Sequence, residues 1–292
     1  MRVTVLPVLL LAAGLSACGK APVPEGAPVA VATAIAPVGA FIGRIAGDAV
    51  PVTVLVPEGQ AAETWQVLPR QMEAMDRARA YFLIGMPFEE TFIGRLTRAN
   101  TALEVVDLRE GIPLLDMACG EHHDGHDHPH GGADPHLWMD PIHVKTVNAA
   151  IERTLARLLP DRAAEFAANR AAFDAELDAA HARVAAALAP HAGRALHVFH
   201  PAYGYFCARY GLVQKAVEEE GKSPGPRRLN ELAEEMRAGA VRVIFTQPQF
   251  AQGEAAALAR ATGARLVTLD DLNPDYIGNL DRMARVIAES FQ

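Results

Sequence analysis

Seven short runs rich in β-branched and apolar residues alternate with helical stretches, and one long segment without any strand signal divides them. The runs before the divide are Val29–Ile35, Val50–Val56, Ala80–Gly85 and Leu103–Leu108; those after it are Ala195–His200, Val241–Thr246 and Arg265–Asp270. Each is bounded by Gly, Pro or polar residues, as strands are. Helical patterns such as Leu68–Arg79, Leu229–Ala238 and Gly253–Ala261 lie between them. Alternation of this kind predicts an α/β fold with parallel sheets, because parallel strands need helical crossovers. From about His143 to Leu188 the chain is dominated by Ala, Arg, Glu and Leu, with one break at Leu159-Pro160-Asp161. Asp161 is placed to cap the second segment, Arg162 to about Leu188. The expected architecture is two lobes with parallel sheets joined by one long backbone helix. The expected boundaries are an N-terminal lobe over 29–142, a connecting helical segment over 143–190 and a C-terminal lobe over 191–292. A rigid connector would limit hinge motion.

The start of the chain stands apart from this pattern. Arg2 is followed by an apolar run, Val3 to Leu15, too short to span a bilayer as a mature helix. The sequence Leu15-Ser16-Ala17-Cys18-Gly19 has the form of a lipoprotein cleavage site, with Cys18 as the lipidated residue. The simpler reading is an ordinary secretory signal with a chance cysteine. Residues 1–18 are thus expected to be a leader and the Pro- and Gly-rich residues 19–28 a flexible tether. The mature protein would sit in the periplasm or on the outer face of the cytoplasmic membrane, anchored without spanning it. In such an oxidising compartment Cys119 and Cys207 could pair, Cys119 could touch metal, or both could stay unpaired. A net charge of −8 without clustered Lys and Arg argues against nucleic-acid binding.

Two groups of residues carry chemistry. The tract 121–132 (EHHDGHDHPHGG) holds His122, His123, His126, His128 and His130 beside Asp124 and Asp127. Imidazole suits zinc, copper and nickel. The tract cannot pack a core, so it reads as an accessory scavenging segment or a solvated loop. A defined site needs donors on a rigid frame. His200 and Asp270 end strand runs, Glu63 follows the second run, and His136 precedes the central helix. In parallel α/β sheets, ligands bind beyond the carboxyl ends of strands. Two imidazoles and two carboxylates suit a closed tetrahedral ion. Taken singly, each is equally explained as a structural hydrogen-bonding group or a cap.

Several stretches, in order, resemble the zinc and manganese solute-binding proteins of ABC importers, the cluster A-I family, and in particular its zinc-binding subgroup. They are Ile45-Ala46-Gly47-Asp48-Ala49-Val50, Asp134-Pro135-His136-Leu137-Trp138-Met139-Asp140-Pro141, His200-Pro201-Ala202-Tyr203-Gly204-Tyr205-Phe206, Glu220-Gly221-Lys222-Ser223-Pro224, Ile244-Phe245-Thr246-Gln247-Pro248-Gln249-Phe250 and Leu269-Asp270-Asp271-Leu272. The resemblance runs from about Val29 to the C-terminus. It implies metal held between two lobes by Glu63, His136, His200 and Asp270, with zinc as cargo and manganese as the alternative. It also implies delivery to an ABC permease and its ATPase, by a monomer. Glu63 is a departure: with Gly59 and Pro69 in register, it stands where the family has His. Harder oxygen donors move preference toward manganese. The His-rich tract, His200 and the subgroup likeness favour zinc, and loop histidines could complete the shell in place of Glu63. Gln247 and Asp271 are candidates for outer groups that orient the imidazoles.

Competing readings are an exported metallohydrolase, a periplasmic metal buffer or chaperone, and a surface adhesin. The chain has no H-E-x-x-H, no G-x-S-x-G and no general base beside an open metal position, so the pattern argues against an enzyme. A buffer would share every binding feature with an importer subunit.

Overall fold

The computed structural model describes residues 29–117, 132–218, 224–250 and 252–292. The leader, the tether, Cys18, Cys119, the five tract histidines and most of Glu220–Pro224 lie outside the described residues. The first half forms β1 (Ala30–Thr33), α1 (Ala36–Ala46), β2 (Val52–Val54), α2 (Pro69–Met75), β3 (Ala78–Leu83), α3 (Pro87–Ala99) and β4 (Glu104–Asp107). Two central helices follow, α4 (Pro141–Leu158) and α5 (Ala163–Leu188). The second half forms β5 (Ala195–Val198), α6 (Gly204–Tyr210), β6 (Val213–Ala216), α7 (Pro226–Ala238), β7 (Val243–Thr246), α8 (Gln252–Thr262), β8 (Arg265–Thr268) and α9 (Tyr276–Ser290).

The strands make two parallel sheets with the same winding, β2-β1-β3-β4 and β6-β5-β7-β8. Their equivalence puts the carboxyl ends of both sheets in a position to build one site. α1 shows why these helices lie where they do. Val38, Phe41, Ile42 and Ile45 recur at helical spacing and all are buried. Gly39 lets the helix approach β2, since a Cβ there would sit 2.6 Å from Val54 Cγ2.

Six of the seven expected runs contain a strand and the seventh, Ala80–Gly85, overlaps β3, which begins at Ala78; the eighth strand, β6, has no expected run. Its sequence, Val-Gln-Lys-Ala, alternates in exposure at the sheet edge and lacks an apolar run. The helix expected over Leu68–Arg79 ends at Met75, because Ala78 already begins β3 on the sheet. Asp161 is not the cap of α5: it lies inside a 3₁₀ turn (Pro160–Arg162), and the N-cap position is Arg162.

α5 has 26 residues, about 39 Å at 1.5 Å per residue. Phe166, Phe173, Leu177, Ala180, Val184 and Leu188 form its buried stripe. It packs along α4, along α1 from the first half and along α9 from the second. Phe41 sits at this junction, 5.8 Å from Phe173 and 4.9 Å edge-on from Tyr276. One buried core therefore runs from Val31 through the central helices to Ile287. Cys207 is buried in α6, and burial pushes its thiol up to about 12.

Leu177→Ala should therefore destabilise the whole protein by about 2–5 kcal/mol in a denaturant melt. Arg183→Ala, which breaks an exposed pair with Asp281, should cost less than about 1 kcal/mol. Comparable losses would contradict a shared core centred on α5.

Candidate metal site between the lobes

Three side chains from distant parts of the sequence meet at the carboxyl ends of the strands. Glu63 lies in the loop between β2 and α2, and His136 precedes a 3₁₀ turn (Leu137–Met139) that leads into α4. His200 follows β5. One ligand-capable atom from each lies within 4.8 Å of the others. Glu63 Oε1 is the centre: it is 3.4 Å from His136 Nε2 and 3.3 Å from His200 Nε2. Both imidazoles are buried, while the Glu63 side chain keeps 16% exposure. The rings stand 5.4 Å apart at 73°, and His200 stacks on Phe250 at 4.5 Å.

The opposite ring nitrogens are fixed by carboxylates. His136 Nδ1 is 2.7 Å from Asp134 Oδ1, which also accepts the His136 backbone N–H at 2.9 Å. His200 Nδ1 is 2.7 Å from Glu218 Oε2. Each contact makes Nδ1 the protonated nitrogen and turns Nε2 toward Glu63, the arrangement in which imidazoles bind metals. Neither Asp134 nor Glu218 was singled out as a site residue by the sequence reading. Asp134 was within reach, because Asp-Pro-His places a carboxylate two residues before an imidazole. Glu218 follows the unrecognised strand β6, so no local signal linked it to His200.

Asp270 is not brought to the cluster. Its Oδ1 accepts Gln249 Nε2 at 2.7 Å and the Leu272 N–H at 3.2 Å, and its Oδ2 accepts Asn273 Nδ2 at 3.2 Å. Its neighbour Asp271 is the acid turned inward. Asp271 is buried, its Oδ1 has no hydrogen bond among the described residues, and its main-chain carbonyl accepts Trp138 Nε1 at 2.9 Å. Burial raises the Asp271 carboxyl to about 6, moderated by His136 and His200. Gln247 is also buried, with its Nε2 3.4 Å from the His200 carbonyl. Asp116 and Ala133 form a small antiparallel bridge next to Asp134.

The electrostatics are those of a cation trap. Burial alone would raise the Glu63 carboxyl, but the two imidazoles outweigh it and hold the group well below the usual carboxylate range. Burial alone would lower His136, yet Asp134 and then Glu63 reverse this and raise it from 6.5 to about 10. His200 is raised for the same reason, by Glu218 and Glu63 against burial. Without a metal the positive charge is therefore a proton. Because the folded value of His136 lies above its unfolded value, the stability this proton contributes is complete below about pH 6.5 and lost as pH rises through about 10. The corresponding NMR titration of metal-free protein should place the His136 midpoint near 10, and Glu63→Gln should lower it. A midpoint near 6.5 in the unsubstituted protein would show that the carboxylates do not hold the ring.

The sequence profile of the family described as zinc-uptake complex component A, periplasmic, matches residues 31–290. Among curated proteins, the chain is 28% identical over 284 residues to the high-affinity zinc uptake system protein ZnuA of Yersinia pestis, covering 90% of this chain and 89% of that protein. It is 26% identical to the zinc-binding lipoprotein AdcA of Streptococcus pneumoniae, covering 94% of this chain but 55% of AdcA. Among solved structures, a crystal structure of ZnuA superposes with a TM-score of 0.83 at 34% identity, over 91% of this chain and all of that one.

Proposed function

The chain belongs to the periplasmic zinc-uptake complex component A family, and from that membership we propose that Glu63, His136 and His200 hold one zinc ion as cargo in the cleft between the lobes. The protein is the extracytoplasmic solute-binding component of a zinc ABC importer, a transport component and not an enzyme, working with a permease and its ATPase. The observation that carries the site is the meeting of three donor atoms within 4.8 Å, with both imidazoles locked at Nδ1 and aimed at one carboxylate oxygen.

Glu63 does what a third imidazole would do in position while adding a negative charge. Zinc accepts Nε2 and carboxylate oxygen alike. Two nitrogens and one oxygen of Glu63 leave a place for one more donor on a tetrahedral ion. Asp271, buried and with a free oxygen, fits it better than Asp270, whose oxygens are engaged elsewhere. The donor set also admits manganese, the alternative cargo. The tract histidines act as accessory weak sites that feed this one. Cys18 carries a lipid anchor, as the lipoprotein name of a relative suggests, and the mature protein works as a monomer. The lobes correspond to 29–142 and 191–292, joined by 143–190.

Calorimetric competition at pH 7 should show one tight zinc equivalent with manganese weaker. Affinity should fall about tenfold for each unit by which pH is lowered, per proton displaced, since the imidazoles carry protons that the ion must expel. Manganese binding as tightly as zinc would overturn the assignment of cargo. In the same assay Glu63→Ala and His200→Ala should each weaken zinc by more than about a hundredfold, beyond what outer groups cause. Asp271→Asn should cost more than Asp270→Asn; the reverse order would return Asp270 to the site. Deleting residues 121–132 should leave the tight equivalent and remove weak extra ones.

A further inference from the structure

His136 belongs to the first lobe, but the group that orients it is pressed against the second. Asp134 Oδ1 is committed to the backbone and Nδ1 of His136. The other oxygen, Oδ2, faces Gly204, the first residue of α6. A Cβ at position 204 would lie 2.8 Å from it, closer than real Cβ contacts come. The next residue acts on the same aspartate: the Tyr205 hydroxyl donates to the Asp134 carbonyl at 3.1 Å and accepts the Leu115 N–H at 3.0 Å. Leu115 in turn accepts the Asp134 N–H at 2.8 Å. Asp134 is buried and cannot step aside into solvent.

We infer that Gly204 and Tyr205 are positioning residues for cargo binding, acting across the lobe boundary through Asp134 on His136. Gly204 supplies the absence of a side chain that lets Asp134 lie where it can hold the ring. Tyr205 fixes the main chain of Asp134. Backbone freedom does not explain the glycine, since its φ is not in the left-handed region. Alanine at the start of a helix would be conformationally easier than glycine. His200 has no such dependence, because its carboxylate, Glu218, comes from its own lobe. The two imidazoles thus differ: one is set within its lobe and the other by the contact of both lobes.

This inference rests on His136 being a cargo ligand, and the test separates the two. In the mature full-length protein, Gly204→Ala should weaken zinc by 10- to 100-fold, the range for outer groups that orient a ligating histidine. In metal-free protein it should move the Nδ1 resonance of His136 and leave that of His200 in place. In an Asp134→Ala background, where the methyl group has room, Gly204→Ala should have no further effect on affinity. Tyr205→Phe should act in the same direction with a smaller loss. If Gly204→Ala leaves affinity unchanged while His136→Ala abolishes tight binding, or if its effect persists undiminished without Asp134, the positioning role is wrong and the site stands. If His136→Ala itself leaves tight binding intact, the proposed site falls and this inference with it.

Discussion

The arrangement depends on one carboxylate oxygen placed between two buried imidazoles. Glu63 Oε1 lies 3.3–3.4 Å from Nε2 of both His136 and His200. Two cationic rings and an anion removed from water are costly unless paired. Here each ring has a second carboxylate at Nδ1, so the metal-free cluster holds protons where an ion would sit. The trap is pre-formed: in the proposed site, zinc would replace protons instead of assembling its ligands from a disordered state. Under that proposal binding would depend on pH, because the same electrostatics that attract the ion strengthen its competitor.

Such a cluster needs a frame that does not relax. Glu63 and His136 come from one sheet and its following segment, His200 from the other. The two are held together near the site by named bonds. Trp138 Nε1 donates to the Asp271 carbonyl, the Tyr276 hydroxyl donates to the Trp138 carbonyl at 2.6 Å, and Arg209 pairs with Asp140 at 2.6 Å. Asp140 is also the cap of α4, accepting the Ile142 N–H. The turn that carries His136 is thereby stitched to α6, α9 and the loop after β8. Farther out, α5 shares a single core with helices of both halves. A protein built this way is suited to small adjustments at the cleft and unsuited to wide opening of the kind hinge-strand binding proteins use.

Much of this was legible in the residues. Seven strands stood out as short apolar, β-branched runs; the ends of three of them pointed to Glu63, His200 and Asp270, and His136 was marked by its place before the central helices. Edge strand β6 did not stand out, because Val-Gln-Lys-Ala holds one β-branched residue and no apolar run. Its loss hid Glu218, which depends on it. The choice between Asp270 and Asp271 was not legible either. Adjacent acids at a strand end point to different sides, and which one faces inward is decided by Gln249 and Asn273, contacts that exist only in the folded chain. Glu63 is the opposite case. Its place was readable from the register of Gly59 and Pro69, and its carboxylate is what the two imidazoles of the cluster face.

The most direct test of this account is X-ray absorption at the zinc edge on the mature protein loaded with one equivalent. The account predicts a first shell of two imidazole nitrogens at about 2.0–2.1 Å with the remaining donors oxygen at about 2.0–2.2 Å. Three or more imidazoles would mean that histidines of the 121–132 tract displace Glu63, and a sulfur at about 2.3 Å would bring in a cysteine. Either result would contradict the claim that one carboxylate between two histidines is the heart of the site.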